Sequence, residues 1–413
     1  MVLYEDAGWK RHAPLSYSRP TFDLRWGRHT ARERLRLVQG TSSSTHVWCR
    51  PELADTVAAS GQIGVNQVPD GAMLLLAGHG LWHTLPATST SDSAWVGTVR
   101  DEIACLFLPG SGDRLLSPAD LLRPDGLTRL THGIPRRSVA DLVRLAAWPW
   151  EMVDGNEYAL LADWEAATSA DRVRRISPNQ LPGVHVVGTD LAIGADFRVA
   201  PGTVIDTTGG PVWLGEQVEV GPNCVLLGPL SVGDGCRLQP GTILRDATTL
   251  GPACKAGGEV ETCIVTGYSN KQHHGYLGHA LVGEWVNIGA GASNSDLKHT
   301  YGEIRVPVLG VPTPTGRVFV GAFLGDHAKI GINVALPSGA MVGFASAVIG
   351  AGCPSFVPSF RWVSDGAASP YPLDRARTVA GRVMARRDHT FDATQAKLFA
   401  TIAGWAGQLE QVD

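Results

Sequence analysis

Between Leu214 and Leu250 an aliphatic residue falls on every sixth position: Leu214, Val220, Leu226, Val232, Leu238, Leu244 and Leu250. Glycine follows directly at Gly215, Gly221, Gly233 and Gly251. The beat returns at Leu324, Ile330, Leu336, Val342 and Val348, again with glycines at 325, 331 and 343. Neither the 3.6-residue period of a helix nor the alternation of a strand produces it. A six-residue repeat predicts a parallel β-helix in which each short strand forms one side of a prism. The aliphatic side chain points inward and the small residue beside it permits the corner. Such a solenoid is a rigid ladder, so chemistry is expected where the rhythm lapses, from about Glu259 to Arg317.

The rest of the chain is that of an ordinary globular protein. Its 413 residues suffice for two or three domains, with 44% hydrophobic and 18% charged residues. A net charge of −4 gives no basic footprint for nucleic acid. No apolar run approaches the roughly 18 residues that would span a membrane. The opening MVLYEDAGWKRH lacks the apolar core of a signal peptide, so a cytoplasmic location is expected. The seven cysteines are scattered without a CxxC pair. Cys236 and Cys254 stand three hexads apart, one full turn of a three-sided coil, and are expected to stack as buried thiols rather than to form a disulfide or metal site.

Residues 1–185 read as an α/β domain. VLYED and GAMLLLAG have the character of strands, and ARERLRLVQ, SVADLVRLAAW and DWEAATSADRVRRI that of helices. The Pro- and Gly-bearing SPNQLPG is expected to be a linker. Residues 186–360 form the solenoid. Residues 361–413 carry two amphipathic helices, expected to cover the solenoid's open end and its unpaired strand edges.

The lapse contains SNKQHHGYLGHALVGEWVNIGAGASNSDLKHTYGEIRV, which gathers His273, His274, His279 and His299 with lysines, asparagines and two tyrosines. The string Ser269, His273, Tyr276-Leu277-Gly278 and Val286-Asn287-Ile288-Gly289-Ala290-Gly291 resembles the acetyltransferase half of the bifunctional N-acetylglucosamine-1-phosphate uridyltransferase/glucosamine-1-phosphate acetyltransferase family. A divergent subfamily described as sugar nucleotidyltransferases is more similar still. Its pattern is matched by GGEV, GYSNK, GEW, NIGA, NSDLK, GDHAKIGIN and PSF, and by the N-terminal RPxxDLRxG and WPWEMVDGNEY. The resemblance implies a nucleotidyltransferase-like domain followed by a left-handed β-helix that works as a homotrimer, with acetyl-CoA or another acyl-CoA as donor.

Carried over residue by residue, the resemblance makes His273 the general base, since imidazole titrates near neutrality. The Ala290 N–H becomes the oxyanion donor. Tyr276 and Asn287 fall on sugar-contacting positions, and Glu259 on a substrate-binding one. Lys271 lies one place from a phosphate-binding lysine. Asn294 and Lys298, with Tyr301, sit on an expected excursion loop, suited to either loop scaffolding or ligand contact. His273 itself also fits a solvated loop histidine. His327 in LGDHAKIG suits a coil corner as well as a ligand contact. One departure stands out: the family's substrate-binding lysine is Glu261 here, and a carboxylate opposes a phosphate.

At the N-terminus, sugar nucleotidyltransferases carry a Gly-rich loop that cradles a triphosphate on backbone amides. Here only Gly8 and Arg11 echo it, while Arg19 and Arg25 stand near the family's lysine motif as candidate phosphate ligands. Asn66 and Asn156 fall near the two Mg²⁺ positions, where an amide binds the ion more weakly than a carboxylate. The expected activity is acyl transfer to a sugar phosphate or nucleotide sugar. The alternatives are an active sugar-1-phosphate nucleotidyltransferase with the solenoid as platform, a trimeric metal enzyme of the carbonic anhydrase type, and a non-catalytic sugar-nucleotide-binding protein.

Overall fold

The computed structural model describes residues 1–39, 45–89, 92–110, 116–176 and 180–411. The chain divides into two compact units. The first comprises Met1–His12, Ser16–Leu24 and His29–Trp148; the second comprises Ala13–Leu15, Arg25–Arg28 and Pro149–Asp413.

In the first unit the apolar runs VLY and MLLLA lie side by side in a six-stranded mixed sheet. Val2–Tyr4 pairs in parallel with His46–Trp48 and with Met73–Ala77. Met73–Ala77 and Trp95–Val99 both run antiparallel to Glu102–Leu108, and Arg136–Ser138 adds a parallel edge. Continuous apolar runs suit strands covered on both faces, and Val2, Leu3, Leu75 and Leu76 are all fully buried. Helix α1 (Ala31–Gln39) forms on ARERLRLVQ. The expected helix on SVADLVRLAAW is absent. Its residues leave strand Arg136–Ser138, turn through a Leu142 N–H to Val139 carbonyl bond, and continue as Val143–Leu145. Val143–Leu145 pairs antiparallel with Gly80–Trp82. Short apolar runs fit both periods, and here an available strand edge decides the outcome.

In the second unit helix α2 (Asn156–Ser169) begins and ends earlier in the chain than DWEAATSADRVRRI suggested. Asp171 takes a left-handed φ of 53°, and Arg175 instead bridges antiparallel to Ala192. The expected linker falls partly outside the described residues, at 177–179.

From residue 185 the chain winds as a left-handed parallel β-helix with three faces. The first, nine strands, runs from Leu191–Ile193 to Phe356–Val357; the second, ten strands, runs from Arg198–Val199 to Ala367–Pro370. The third, six strands, runs from His185–Val187 to Tyr276–Gly278, and Ser293–Asn294 pairs in parallel with Ala335–Leu336 beyond it. The hexad aliphatics all point into one buried core. Leu214, Val232 and Leu250 stack in register, so each of these coils is three full hexads, one per face. Cys236 and Cys254 precede the paired Arg237 and Lys255 on neighbouring coils, both as buried free thiols. Among the described residues no His, Cys, Asp and Glu side chains gather as a metal site.

The lapse in rhythm does not interrupt the solenoid. After Leu250 the coils shorten: Leu250 pairs with Val265, and Val265 with Val282, so both steps fall short of three hexads. Two inward positions also change character. Lys271 stacks on Ala256, and Asn294 on Leu336, each where an aliphatic is otherwise found. The true excursion is 295–322, which carries the antiparallel hairpin Arg305–Val308/Val311–Pro314.

The tail forms helices α3 (Leu373–Ala385) and α4 (Ala393–Leu409). They do not simply plug the open end. That end is finished by an antiparallel hairpin, Arg361–Ser364 with Ala367–Pro370. The helices instead lie along the corner between the first and second faces. There Tyr268 stacks on Trp285 at 4.5 Å, and Phe399 of α4 meets the rings of His327, Phe344 and Phe360. Arg387 donates to the Ala253 carbonyl and Asn270, and Glu410 accepts from Ser359. An aromatic corner needs cover more than a strand edge that a hairpin already closes. His327 is one of these corner residues, with a left-handed φ of 61°. Among the described residues no helix is long and apolar enough to cross a membrane.

Candidate functional site

The sequence candidates of the lapse collect around the corner joining the second and third faces. Strand Asn270–Lys271 ends on the second face and strand Tyr276–Gly278 begins the third. Between them His273 and His274 are exposed. The loop is held from inside by Lys271. Its side chain is buried, and its ammonium donates to the carbonyls of Gly257 (3.2 Å), His273 (2.7 Å) and Gly275 (3.1 Å). Burial lowers the Lys271 pKa to about 8. All three of its donors face backbone, so it acts here as an internal clamp on the histidine loop rather than as a surface cation.

The loop is packed from both sides along the solenoid axis. Gly258, at φ +74°, has no room for a side chain: a Cβ there would lie 2.5 Å from the Gly275 carbonyl oxygen. On the other side the Gly291 N–H donates to the His274 carbonyl at 3.0 Å, tying the histidine loop to the turn that holds Ala290. The Ala290 carbonyl accepts from Asn333, whereas its N–H donates to no group among the described residues. An exposed imidazole and an uncommitted backbone N–H thus sit on adjacent coils of one corner.

The third face beside this corner carries a polar network that no spacing in the sequence could assemble. Arg245 lies in register with Glu261, and Glu261 with Gly278. Arg245 pairs with Glu259 at 3.0 Å and also with Glu261 and Asp246. The Tyr276 hydroxyl reaches Glu261 at 3.0 Å and Asp296 at 2.7 Å. His279 Nδ1 meets the same Asp296 oxygen at 2.8 Å, and its ring stacks on Phe319. Burial alone would raise Asp296, but hydrogen bonds from His279 and Tyr276 hold its carboxyl below the usual range. Burial and the two carboxylates push the Tyr276 hydroxyl far up. The Glu261 departure is therefore balanced: its carboxylate is paired with Arg245 and is not a bare anion. Glu259 is engaged by the same guanidinium.

The remaining candidates differ in how far they are engaged. Asn287 is exposed on the second face, where it accepts from Asn270 at 3.3 Å. Asn294 is buried and clasps Gly278, accepting its N–H and donating to its carbonyl, both at 2.8 Å. Lys298 donates to the Glu303 carbonyl within the excursion, and Tyr301 is 74% exposed.

In the first unit, Arg11 lines a cleft of about 490 Å³ with Asp6, Gly8 and Arg123, and lies 3.6 Å from Glu102. The loop after the first strand is anchored by a buried ion pair. Glu5 accepts from Arg50 Nε at 2.9 Å and from the Thr21 N–H, while Arg50 also donates to the Ser16 and Arg19 carbonyls and stacks on Trp9. Arg19 is thus fixed through its backbone and lies in the first unit. Arg25 belongs to the second unit, where it donates to the Arg28 carbonyl. Asn66 takes a left-handed φ of 54°, and its amide oxygen accepts the Cys49 N–H at 2.8 Å. Asn156 is fully buried, with its amide oxygen on the Gly27 N–H and its amide nitrogen on the Ala247 carbonyl. Both asparagines thus serve local backbone through their amide oxygens.

Fold and site together define a hexapeptide-repeat solenoid joined to an α/β unit. Residues 1–172 match the protein family described as "Sugar nucleotidyl transferase". Among curated proteins the chain is similar to the "Bifunctional protein GlmU" of Alkalilimnicola ehrlichii, with 31% identity over 51% of this chain and 48% of the relative. It is similar also to the "Bifunctional sugar-1-phosphate nucleotidylyltransferase/acetyltransferase" of Sulfurisphaera tokodaii, with 30% identity over 47% of this chain and 42% of the relative. The chain spans about half the length of the curated relatives it matches. Among solved structures, a UDP-N-acetylglucosamine acyltransferase from Bacteroides fragilis aligns over 58% of this chain and 92% of its own, with 13% identity and a TM-score of 0.30.

Proposed function

We propose that the protein transfers an acyl group from an acyl-CoA, acetyl-CoA among them, to an amine or hydroxyl of a sugar phosphate or nucleotide sugar. His273 takes the proton from the attacking group, and the Ala290 N–H stabilises the oxyanion of the tetrahedral intermediate. The observation that carries this reading is the Gly291-to-His274 hydrogen bond, which joins the exposed His273 loop to the turn bearing Ala290. Lys271 positions that loop from within. Tyr276, Glu259 and Asn287 border the corner as sugar contacts, while Asn294 and Lys298 shape its surroundings.

In this reading, residues 186–360 perform the transfer as a homotrimer in the cytoplasm. Residues 1–185 supply a nucleotidyltransferase-like domain, and residues 361–413 brace the solenoid. Relatives named as acetyltransferases support the donor class.

A second reading is sugar-1-phosphate nucleotidyl transfer by the first unit, favoured by the family match over residues 1–172. Arg11 and Arg19 would be its phosphate contacts. Against it stand the Glu5–Arg50 anchor in the loop that must receive a triphosphate and the committed amides of Asn66 and Asn156.

One incubation separates the two. With acetyl-CoA and a panel of amino-sugar phosphates, the proposed reaction releases free thiol. Pyrophosphate release from a nucleoside triphosphate, with no thiol from any acceptor, would reverse the order of the readings. Mass in solution tests the trimer, which a strict monomer would eliminate.

A further inference from the structure

The solenoid's last turn carries a second cleft, away from the His273 corner. It has a volume of about 630 Å³ and lies between the terminal hairpin, Arg361–Ser364 with Ala367–Pro370, and helix α3. Its aromatic wall is Trp362, packed edge-on against Tyr371 with ring centroids 5.5 Å apart. Trp362 remains 38% exposed, although a tryptophan is ordinarily among the more buried residues. The opposite wall is one face of α3, where Arg375, Thr378, Val379 and Arg382 recur at helical spacing.

The charge on that wall is net positive, Arg375 and Arg382 against the carboxylate of Asp374, which also lines the cleft. Arg375 and Arg382 are exposed, and neither forms an ion pair among the described residues. The nearby Asp374 is 3.5 Å from Arg377, whose guanidinium also reaches α4 through the Ala396 carbonyl. Arg375 and Tyr371 line the same cleft; burial raises the Tyr371 hydroxyl and the Arg375 charge opposes that rise. In a chain of net charge −4, an exposed indole facing two arginines one helix-face apart is an unusual surface. The opposite face of α3 is committed to packing through Ala376, Ala380 and Met384.

We propose that this cleft binds a nucleoside phosphate, with the base stacked on Trp362 and the phosphates held by Arg375 and Arg382. Every base offers a π-face to an indole, and arginine's planar fork matches phosphate oxygens. The same chemistry is presented by a free nucleotide and by the nucleotide end of a coenzyme A thioester. The site stands on its own residues and does not depend on acyl transfer at His273.

The test is calorimetric titration of the full chain with adenosine 3′,5′-bisphosphate, inorganic pyrophosphate and coenzyme A. Trp362→Leu is expected to weaken the nucleotide roughly tenfold and leave pyrophosphate unchanged. Arg375→Gln/Arg382→Gln is expected to weaken both probes roughly tenfold or more. Both changes are on exposed positions, and thermal melting verifies the fold; Arg129→Gln, an exposed residue of the first unit, is the control. Competition by coenzyme A identifies the thioester's nucleotide end as the ligand, and nucleotide binding without competition identifies a free nucleotide. Absence of nucleotide binding by the wild-type chain, or variants that bind as the wild type does, overturns the proposal. Nucleotide binding that persists in a protein releasing no thiol would leave this site standing and remove only the acyl-transfer reading.

Discussion

The coils from Leu214 to Leu250 and those from Lys255 to Asn294 belong to one solenoid but solve different problems. The first set repeats every three hexads and keeps an aliphatic at every sixth position of its interior. The second repeats over shorter, unequal steps and admits Lys271 and Asn294 to the interior. Each of these polar residues bonds backbone of the coil carrying the histidines: Lys271 the loop at His273 and Gly275, Asn294 both groups of Gly278. The regular coils gain stability from apolar burial, whereas the shortened coils give up some of it to fix one loop.

That contrast can be broken by mutation. The largest stability effect is expected from Leu244→Ala in a regular coil, because a fully buried leucine leaves a cavity in a rigid ladder. The loss in unfolding free energy by denaturant titration should be about 2–5 kcal/mol, with activity per folded molecule retained. Lys271→Met restores an apolar interior but strands three carbonyls. It should cost about 1–3 kcal/mol and also depress turnover through a loosened His273 loop. If Lys271 instead served as a phosphate ligand, stability would hold and KM alone would rise. Asn294→Leu matches the Leu336 it stacks on yet unpairs the Gly278 N–H and carbonyl. A loss of about 1–2 kcal/mol is expected, and a gain in stability would show that the inward amide has no bonding role.

The smallest effect is electrostatic. Burial lowers Lys271 to about 8 and Lys329 to about 7, below the ordinary lysine value in an unfolded chain. Between those values and about 10.4 the unfolded state holds more protons, so stability rises with pH in that window. The urea midpoint should therefore increase between pH 7 and pH 9 by more in the wild type than in Lys271→Met. An identical increase in both would assign the pH dependence elsewhere.

The difference between the two regions also marks how far the sequence could be read. Hexads at Leu214–Leu250 translate directly into stacked coils because the period is constant and every sixth residue is aliphatic. Once coil length changes, as between Leu250 and Val265, spacing no longer reports register. Arg245, Glu261, Tyr276 and Asp296 could not be brought together without knowing which coils are short. Lys271 shows the same limit: a lysine in a histidine-rich stretch reads as a surface cation until its register with Ala256 turns it inward. Around Val139–Val143 the limit was different, since the apolar spacing suits a helix and only the waiting edge of Gly80–Trp82 makes it a strand. His273 and Ala290 were singled out by a motif resemblance rather than by spacing, and the Gly291-to-His274 hydrogen bond joins their two turns.

The most direct test compares free-thiol release from acetyl-CoA by the wild-type protein and by His273→Ala, with the acceptor that gives the fastest wild-type rate. His273 is exposed, so the substitution should leave the fold and the melting temperature intact. Loss of a general base should slow turnover by about 100- to 10,000-fold. Thiol release by His273→Ala at the wild-type rate would contradict the placing of the chemistry at the shortened coils.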